Sequence, residues 1–174
     1  MANTEVDTTL FGTDVSYEID GRWLAYFTFL LRAVVGYWFF HAGITKIIDG
    51  FSAEGYLKFA ADYTIMEPIV SPFASGIGLE FANFMIPVGE TLIGLGVLVG
   101  LLVRLASFFG VFLMLFFVTI NNGWGHSIVT SDLMGLLLFV AMIVLGAGRV
   151  WGLDAYVEKM AFVQNNPWLR YLLG

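Results

Sequence analysis

Two opposite charges stand inside apolar stretches of the sequence. Arg32 lies within FLLRAVVG and Glu90 within PVGETLIG. If both stretches cross a membrane, each isolated charge costs at least ~2.5–3.5 kcal/mol near the bilayer centre. At ~1.5 Å per helical residue, Arg32 lies ~15 Å beyond Arg22 and Glu90 ~21 Å before Arg104, if these two cations mark the same membrane edge. Two long side chains can bridge this offset of ~6 Å, so we expect Arg32 and Glu90 to pair.

Small and polar residues share a helical face with each of these charges. We place residues on a face by a rotation of ~100° per helical residue. Faces of small residues allow membrane helices to approach closely. The Arg32 face carries Gly36, Phe39, Gly43 and Lys46, and the Glu90 face carries Asn83, Gly94, Val97, Leu101 and Arg104. Gly36, Gly43, Gly94 and Gly100 are therefore expected at helix packing positions. Two interpretations stay open for the charge pair, a packing lock or a polar cavity for a quinone or small anion.

The sequence offers few ligands for metals or haem. It contains no Cys, which excludes thiolate clusters and disulfide relays. His41 is ~180° from Arg32 on its helix and faces away from the expected cavity, so neither a haem held by two His nor a metal is expected. His126 and Asn122 lie in the loop NNGWGHS, which either caps a cavity that contains Lys46 or anchors its Trp at the interface.

Composition indicates which elements must position these residues. The chain has 174 residues, of which 59% are hydrophobic and 13% charged, against roughly 45–50% and ~25% in soluble proteins. A span needs ~20 apolar residues. We therefore predict an all-α, integral membrane four-helix bundle. Its spans are expected near residues 23–45, 81–103, 105–120 and 133–146.

The segments outside the spans are predicted to be less regular. Residues 1–21 are acidic and polar and should form a flexible cytoplasmic tail. Between the first and second spans, SAEGYLKFAADY has the spacing of an interfacial amphipathic helix, and EPIVSPF should be extended. Residues 22–156 form the transmembrane domain, and residues 157–174 form a second interfacial segment.

Charge indicates orientation and excludes one class of partner. The formal net charge is −6, which argues against nucleic acid and fits an archaeal halophile as one possible host. Two cations, Lys46 and Lys58, lie on one side of the predicted bundle. The other side carries five, namely Arg22, Arg104, Arg149, Lys159 and Arg170. Because the cytoplasmic side carries the excess of Lys and Arg, both termini are predicted to be cytoplasmic in a multi-pass protein of the cell membrane.

Three motifs in order resemble the DoxX family over roughly residues 23–156. The first runs from Arg32 through Gly36, Phe39 and Gly43 to Lys46. The second runs from Glu90 through Gly94, Leu98 and Gly100 to Arg104, and the third is GAGRVWGLD, residues 146–154. The resemblance implies a four-helix membrane protein related to the small membrane subunit of thiosulfate:quinone oxidoreductase.

Three functions are compatible with these features. In the first, the chain is a quinone-interacting membrane subunit of an oxidoreductase complex, and Arg32, Lys46, Asn83, Glu90, Asn122 and His126 surround the quinone head. In the second, it is a non-catalytic scaffold or accessory subunit of a larger membrane complex. The third, a small-solute transporter or channel, would need a homo-oligomer. Membrane lipid and other membrane or redox subunits are the expected partners, and a homo-oligomer is a further possibility.

Overall fold

The computed structural model describes residues 3–60, 66–120 and 129–174. An antiparallel hairpin comes first and is followed by helices of very different lengths. The strands are β1 (Asn3–Leu10) and β2 (Thr13–Asp20). The helices are α1 (Gly21–Asp49), α2 (Glu67–Val70), α3 (Gly76–Val99), α4 (Val103–Ile120), α5 (Ser131–Leu145), α6 (Asp154–Val157) and α7 (Ala161–Asn165).

Within the described residues, three helices are long and apolar enough to cross a membrane, namely α1, α3 and α4. The predicted fourth span corresponds to α5, which has 15 residues, or about 22 Å of helix against the ~30 Å thickness of the hydrocarbon. The structure therefore supports a mostly helical, multi-pass membrane protein. The count of four spans stays a prediction.

The helices pack as two antiparallel pairs that share one core. Gly36 of α1 lies against Leu98 of α3, and Gly110 of α4 lies against the Phe139 ring of α5. The rings of Phe39 and Phe139 join the two pairs edge to face, with centroids 4.7 Å apart. Both Phe residues belong to one buried apolar cluster, which spans the middle of the bundle.

Two local predictions are wrong. The acidic segment 1–21 was expected to be flexible, but residues 3–20 form the β1–β2 hairpin, which adds one small sheet to the mostly helical fold. Val, Thr and Tyr alternate with acidic residues in this segment, which is a pattern typical of strands. The flexible tail was predicted from composition, which does not contain this alternation. EPIVSPF was expected to be extended, but it forms α2 and a turn of 3₁₀-helix, Ser71–Phe73, because a proline fits the first turn of each.

The connection between α1 and α3 covers only part of the expected amphipathic helix. It contains a short π-helical turn at Tyr56–Ala60, and residues 61–63 of the expected helix lie outside the described residues, so that helix stays a prediction. The C-terminal segment 157–174 forms short helices, α7 and Pro167–Tyr171. Its end folds back onto the bundle, where Leu173 is buried.

Candidate functional site

A buried ion pair joins the two helices that the sequence predicted to be neighbours. Nζ of Lys46 lies 2.5 Å from Oε2 of Glu90. The Glu90 side chain is 5% exposed and the Lys46 side chain 29%. A carboxylate enclosed by apolar helices would be costly alone, and the ammonium group offsets that cost. The pair therefore keeps charge inside the bundle while one partner still reaches open space.

Glycines allow α1 and α3 to approach closely enough to form this pair. A Cβ on Gly43 would collide with Thr91 and with the carbonyl oxygen of Pro87, and a Cβ on Gly94 would collide with the backbone of Phe40. The hydroxyl of Thr91 donates to the Pro87 carbonyl at 2.7 Å, so this polar group is satisfied within α3. Backbone contact between two membrane helices needs small residues at these positions.

Two adjoining cavities meet at the ion pair. One has a volume of about 170 Å³ and the other about 270 Å³. Both are lined by Lys46, Glu90, Phe117 and Asp132. The larger cavity adds mainly apolar and aromatic walls, namely Phe51, Ala53, Tyr56 and Ile86; the smaller adds Trp38, Phe39, Ala42 and Met114. We call the two cavities together the Lys46 pocket.

The segment that follows α1 covers one side of the Lys46 pocket. Its backbone is held by α3, because the Ala53 N–H donates to Oδ1 of Asn83 at 2.7 Å. The Phe51 ring centroid lies 5.6 Å from Nζ of Lys46, a distance typical of a cation–π contact. The Tyr56 ring packs edge-on against Phe117 of α4, with centroids 5.8 Å apart. Asn83 thus contributes by holding this cover in place.

Asp132 adds a second carboxyl group to the Lys46 pocket. It lies in the first turn of α5, whose N-cap Thr130 accepts a hydrogen bond from the Leu133 N–H. Burial, the larger cause, and the charge of Asp132 together raise the pKa of the Tyr56 phenol to about 12. The phenol therefore stays protonated at neutral pH. The pocket brings together an ammonium group, two carboxyl groups and a phenol.

Arg32 lies at the other end of α1, in a second cluster of buried charge. Its side chain is 1% exposed. Nη2 donates to the carbonyl oxygen of Trp151 at 3.0 Å, and Nη1 lies against Gly100 and Gly152, where a Cβ would collide with it. Among the described residues, Nε and Nη1 have no hydrogen-bond partner. The guanidinium thus lies against glycine backbone, and it lines neither cavity of the Lys46 pocket.

Asp154 completes this second cluster. Its carboxylate is fully buried and accepts three backbone N–H groups, from Leu102 at 2.7 Å, Val103 at 3.0 Å and Gly174 at 2.8 Å. Leu102 has a φ of 52°, a left-handed conformation that costs a non-glycine residue roughly 1–2 kcal/mol. The carboxylate therefore stabilises a strained turn between α3 and α4. We call this set, with Arg32, the Arg32–Asp154 cluster.

The predicted Arg32–Glu90 pair is wrong. Arg32 is level with Gly100, just beyond the end of α3, whereas Glu90 is level with Lys46, which lies ~21 Å further along α1. The predicted depths of Arg32 and Glu90 could not be compared, because Arg22 and Arg104 do not mark the same membrane edge. The first turns of α1 extend ~15 Å beyond the level of Gly100.

The structure divides the remaining predicted site residues into three groups. Lys46 and Glu90 are brought together, and Asn83 lies behind the cover of the pocket. Gly100, which was expected at a packing position, lies against Arg32 and also ends α3 with a φ of 76°. Asn122 and His126 lie outside the described residues, so their predicted place at the mouth of the pocket stays a prediction.

Sequence reasoning missed Asp132, Tyr56 and Asp154. Asp132 directly precedes the predicted fourth span and Tyr56 lies in the predicted amphipathic helix, and neither was assigned to a site. The role of Asp154 could have been predicted from its place at the end of the GAGRVWGLD motif. An acidic residue that closes a Gly-rich turn can accept backbone N–H groups. In the described parts of the chain, no group of three or more His, Asp or Glu residues could hold a metal ion.

Comparison with known proteins gives one match. The family model described as DoxX matches residues 27–122, which is more than half of the chain. The matched segment contains Lys46, Glu90 and the cover of the pocket. No curated protein and no solved structure matches significantly.

Proposed function

The chain belongs to the DoxX family, and from this premise we propose that it is the quinone-interacting membrane subunit of an oxidoreductase complex. The quinone head would bind in the Lys46 pocket. The observation that carries the proposal is the buried Lys46–Glu90 pair, which lines both cavities together with Asp132. Intramembrane charges that face a cavity commonly mark ligand or proton paths.

The chemistry of a quinone suits this lining. Its ring is flat and apolar, and its carbonyl oxygens accept hydrogen bonds. The Lys46 ammonium group can donate to one such oxygen, and Trp38, Phe39 and Phe117 supply aromatic walls. The larger cavity has mostly apolar walls and would take the first part of an isoprenoid tail. Pockets of this kind combine apolar walls with few orienting polar groups.

Reduction of a quinone to a quinol consumes two electrons and two protons. The carboxyl groups of Glu90 and Asp132 can hold and pass the protons, because both line the space beside Lys46. The electrons must come from a redox centre on another subunit, since the chain contains no Cys for sulfur chemistry of its own. A sulfur compound such as thiosulfate is the donor that the family resemblance implies.

The same proposal includes an orientation. Arg104 and Arg149 both lie beside Gly146, at the end of the bundle that holds the Arg32–Asp154 cluster. Because Lys and Arg favour the cytoplasmic side, both termini would be cytoplasmic. The Lys46 pocket would then lie towards the outer face of the cell membrane.

Binding of a short-tailed quinone to the full chain in lipid nanodiscs tests the proposal. Quenching of Trp fluorescence measures affinity, and Trp38→Phe identifies the reporting residue. Lys46→Met should weaken binding about tenfold or more, because a hydrogen bond from a charged group contributes ~1.5–3 kcal/mol. Lys58→Met is the matched control, since Lys58 forms a solvent-exposed ion pair with Glu54 on the same segment.

Two results would contradict this assignment. One is equal affinity in the Lys46→Met and Lys58→Met proteins. The other is an equal loss in Arg32→Met, because Arg32 does not line the Lys46 pocket. Arg32→Met should lower stability and leave the affinity of the folded protein unchanged.

One observation favours the alternative function, a non-catalytic scaffold for a larger membrane complex. A groove of about 450 Å³ between α3 and α4 is lined by apolar residues, and an apolar helix of another membrane subunit would pack against such a surface. In that case Glu90→Gln would leave both the assembly and the turnover of the complex unchanged. Loss of turnover in an assembled complex would instead support the quinone site.

A further inference from the structure

The β1–β2 hairpin has one apolar face and one acidic face. On the apolar face, Val6 pairs with Tyr17, Thr8 with Val15 and Leu10 with Thr13. On the acidic face, Glu5 pairs with Glu18, Asp7 with Ser16 and Thr9 with Asp14. Residues 3–20 carry five carboxyl groups and no Lys or Arg. The alternation is that of a strand pair with one face in water and the other against an apolar surface.

The described part of the chain leaves much of the apolar face exposed. Leu10 is 53% exposed and Tyr17 is 49% exposed. The described residues supply no third strand, and β2 contacts α1, the helix that directly follows it. An isolated two-stranded hairpin is marginal in water and needs an apolar surface for stability. Some surface outside the described chain must therefore supply it.

The tip of the hairpin points to the kind of surface involved. Phe11 is fully exposed and has a φ of 51°, a left-handed conformation that bulky residues avoid. With Gly12, which has a φ of 81°, it forms a two-residue loop in which both residues have positive φ, as type I′ hairpin turns require. Phe11 thus combines an unfavourable backbone conformation with a fully exposed aromatic ring at the tip of the hairpin. A lipid surface would accept such a ring.

The hairpin is also continuous with the part of the protein that meets lipid. Asp20 ends β2 and caps α1, since its Oδ1 accepts the N–H of Arg22 at 2.9 Å. No linker separates the hairpin from the spanning helix. Trp23 and Tyr26 follow within the first two turns, and the Tyr26 ring packs against that of Trp151. Trp and Tyr in such a group are typical of the membrane–water interface.

We propose that the hairpin is an interfacial lipid-binding element that lies on the bilayer, with the apolar face and Phe11 towards the acyl chains and the acidic face towards water. It cannot insert deeply, because its outer strand edges carry unpaired backbone groups that need water. Its five carboxyl groups repel anionic headgroups, so it prefers zwitterionic lipid. This inference does not depend on the Lys46 pocket.

Spin labels on neighbouring residues test the proposal. The chain has no Cys, so Val15→Cys and Ser16→Cys each accept a single nitroxide on opposite faces. In phosphatidylcholine nanodiscs, a water-soluble nickel reagent should reach position 15 at least about threefold less than position 16, and oxygen should reach position 15 more. Exposure of both positions to nickel would overturn the proposal. Protection of position 15 from both reagents would indicate a protein contact, such as a second copy, and would also overturn it.

Two further measurements keep the test decisive. Nitroxides at both Asp7→Cys and Ser16→Cys, which are register partners, should broaden each other's spectra if the hairpin is formed. Absence of broadening in phosphatidylcholine would overturn the proposal. In phosphatidylglycerol at low salt, the protection of position 15 should fall and should return as salt screens the repulsion. Stronger protection in the anionic lipid would contradict the assigned role of the acidic face.

Discussion

At one end of the α1–α3 pair, the buried carboxylate of Glu90 meets an ammonium group and borders open space. At the other end, the guanidinium of Arg32 and the carboxylate of Asp154 are enclosed by backbone. Both ends bury charge in an otherwise apolar bundle. The Lys46 end surrounds a volume that a ligand can occupy, whereas the Arg32 end fills its volume with glycine backbone.

The difference shows that an intramembrane charge is not by itself a sign of a ligand site. In the Arg32–Asp154 cluster, the carboxylate accepts three backbone N–H groups, two from the adjacent Leu102 and Val103 and one from Gly174. Its role is to hold together the turn after α3, the segment after α5 and the end of the chain. In the Lys46 pocket, the charged atoms face cavities and can form new hydrogen bonds. The available volume distinguishes the two roles.

The largest expected effect is on stability, from Asp154→Ala. The change leaves three backbone N–H groups without their acceptor and removes a negative charge that interacts with Arg32. We expect a loss of about 3–5 kcal/mol in the free energy of unfolding. Thermal unfolding in mild detergent measures it. Glu54→Ala is the control, because its ion pair with Lys58 is exposed and should change stability by less than about 1 kcal/mol.

The same variant can break the comparison between the two ends. If the Arg32–Asp154 cluster is purely structural, the folded fraction of Asp154→Ala should bind the short-tailed quinone as the unmodified protein does. Glu90→Gln should do the opposite and weaken quinone binding more than it lowers stability. An equal effect of both variants on binding would mean that the two ends act as one site.

A smaller effect is expected at the α1–α3 contact that joins the two ends. Gly94→Val forces a branched side chain into the backbone of Phe40, and overpacking of this kind costs about 1–3 kcal/mol. Gly89→Ala is the matched control on the same helix, because its Cβ would meet no atom within 4 Å. Unfolding of both variants measures the difference. Equal stability would show that α1 and α3 adjust freely and do not fix the geometry of the pocket.

Much of the bundle could be predicted from local pattern. The apolar runs located the helices, and the face of Arg32, Gly36, Phe39 and Gly43 is buried in α1, as the helical phase predicted. Family membership was also predicted correctly from three short motifs. These features depend on residues close in sequence, or on periodicity along a single helix, so a single sequence contains them.

The pairing of charges could not be predicted, because it depends on how far one helix slides along another. A helical wheel gives the direction of Arg32 but not its depth relative to α3. That depth is set by contacts such as Gly36 with Leu98 and Gly43 with Thr91. The role of Asp154 needed the same kind of information, since its partners Leu102 and Val103 are about fifty residues away. Register between distant segments is the missing quantity.

The smallest effect concerns the titration of Tyr56, which separates burial from charge in the Lys46 pocket. The pKa of this phenol is raised from 10.0 to about 12, first by burial and then by the charge of Asp132. Because the folded state favours the protonated phenol, the contribution of Tyr56 to stability is complete below pH 10 and is lost as the pH rises towards 12.

Tyr56→Phe should therefore leave this pKa-linked part of the stability unchanged at neutral pH, and it should remove one late step from the phenolate absorbance curve. In Asp132→Asn that step should move to lower pH but stay above 10, because burial is the larger cause. If the step is unchanged in Asp132→Asn, the charge of Asp132 does not affect the pKa of the phenol. The carboxyl groups of the pocket would then titrate independently of Tyr56.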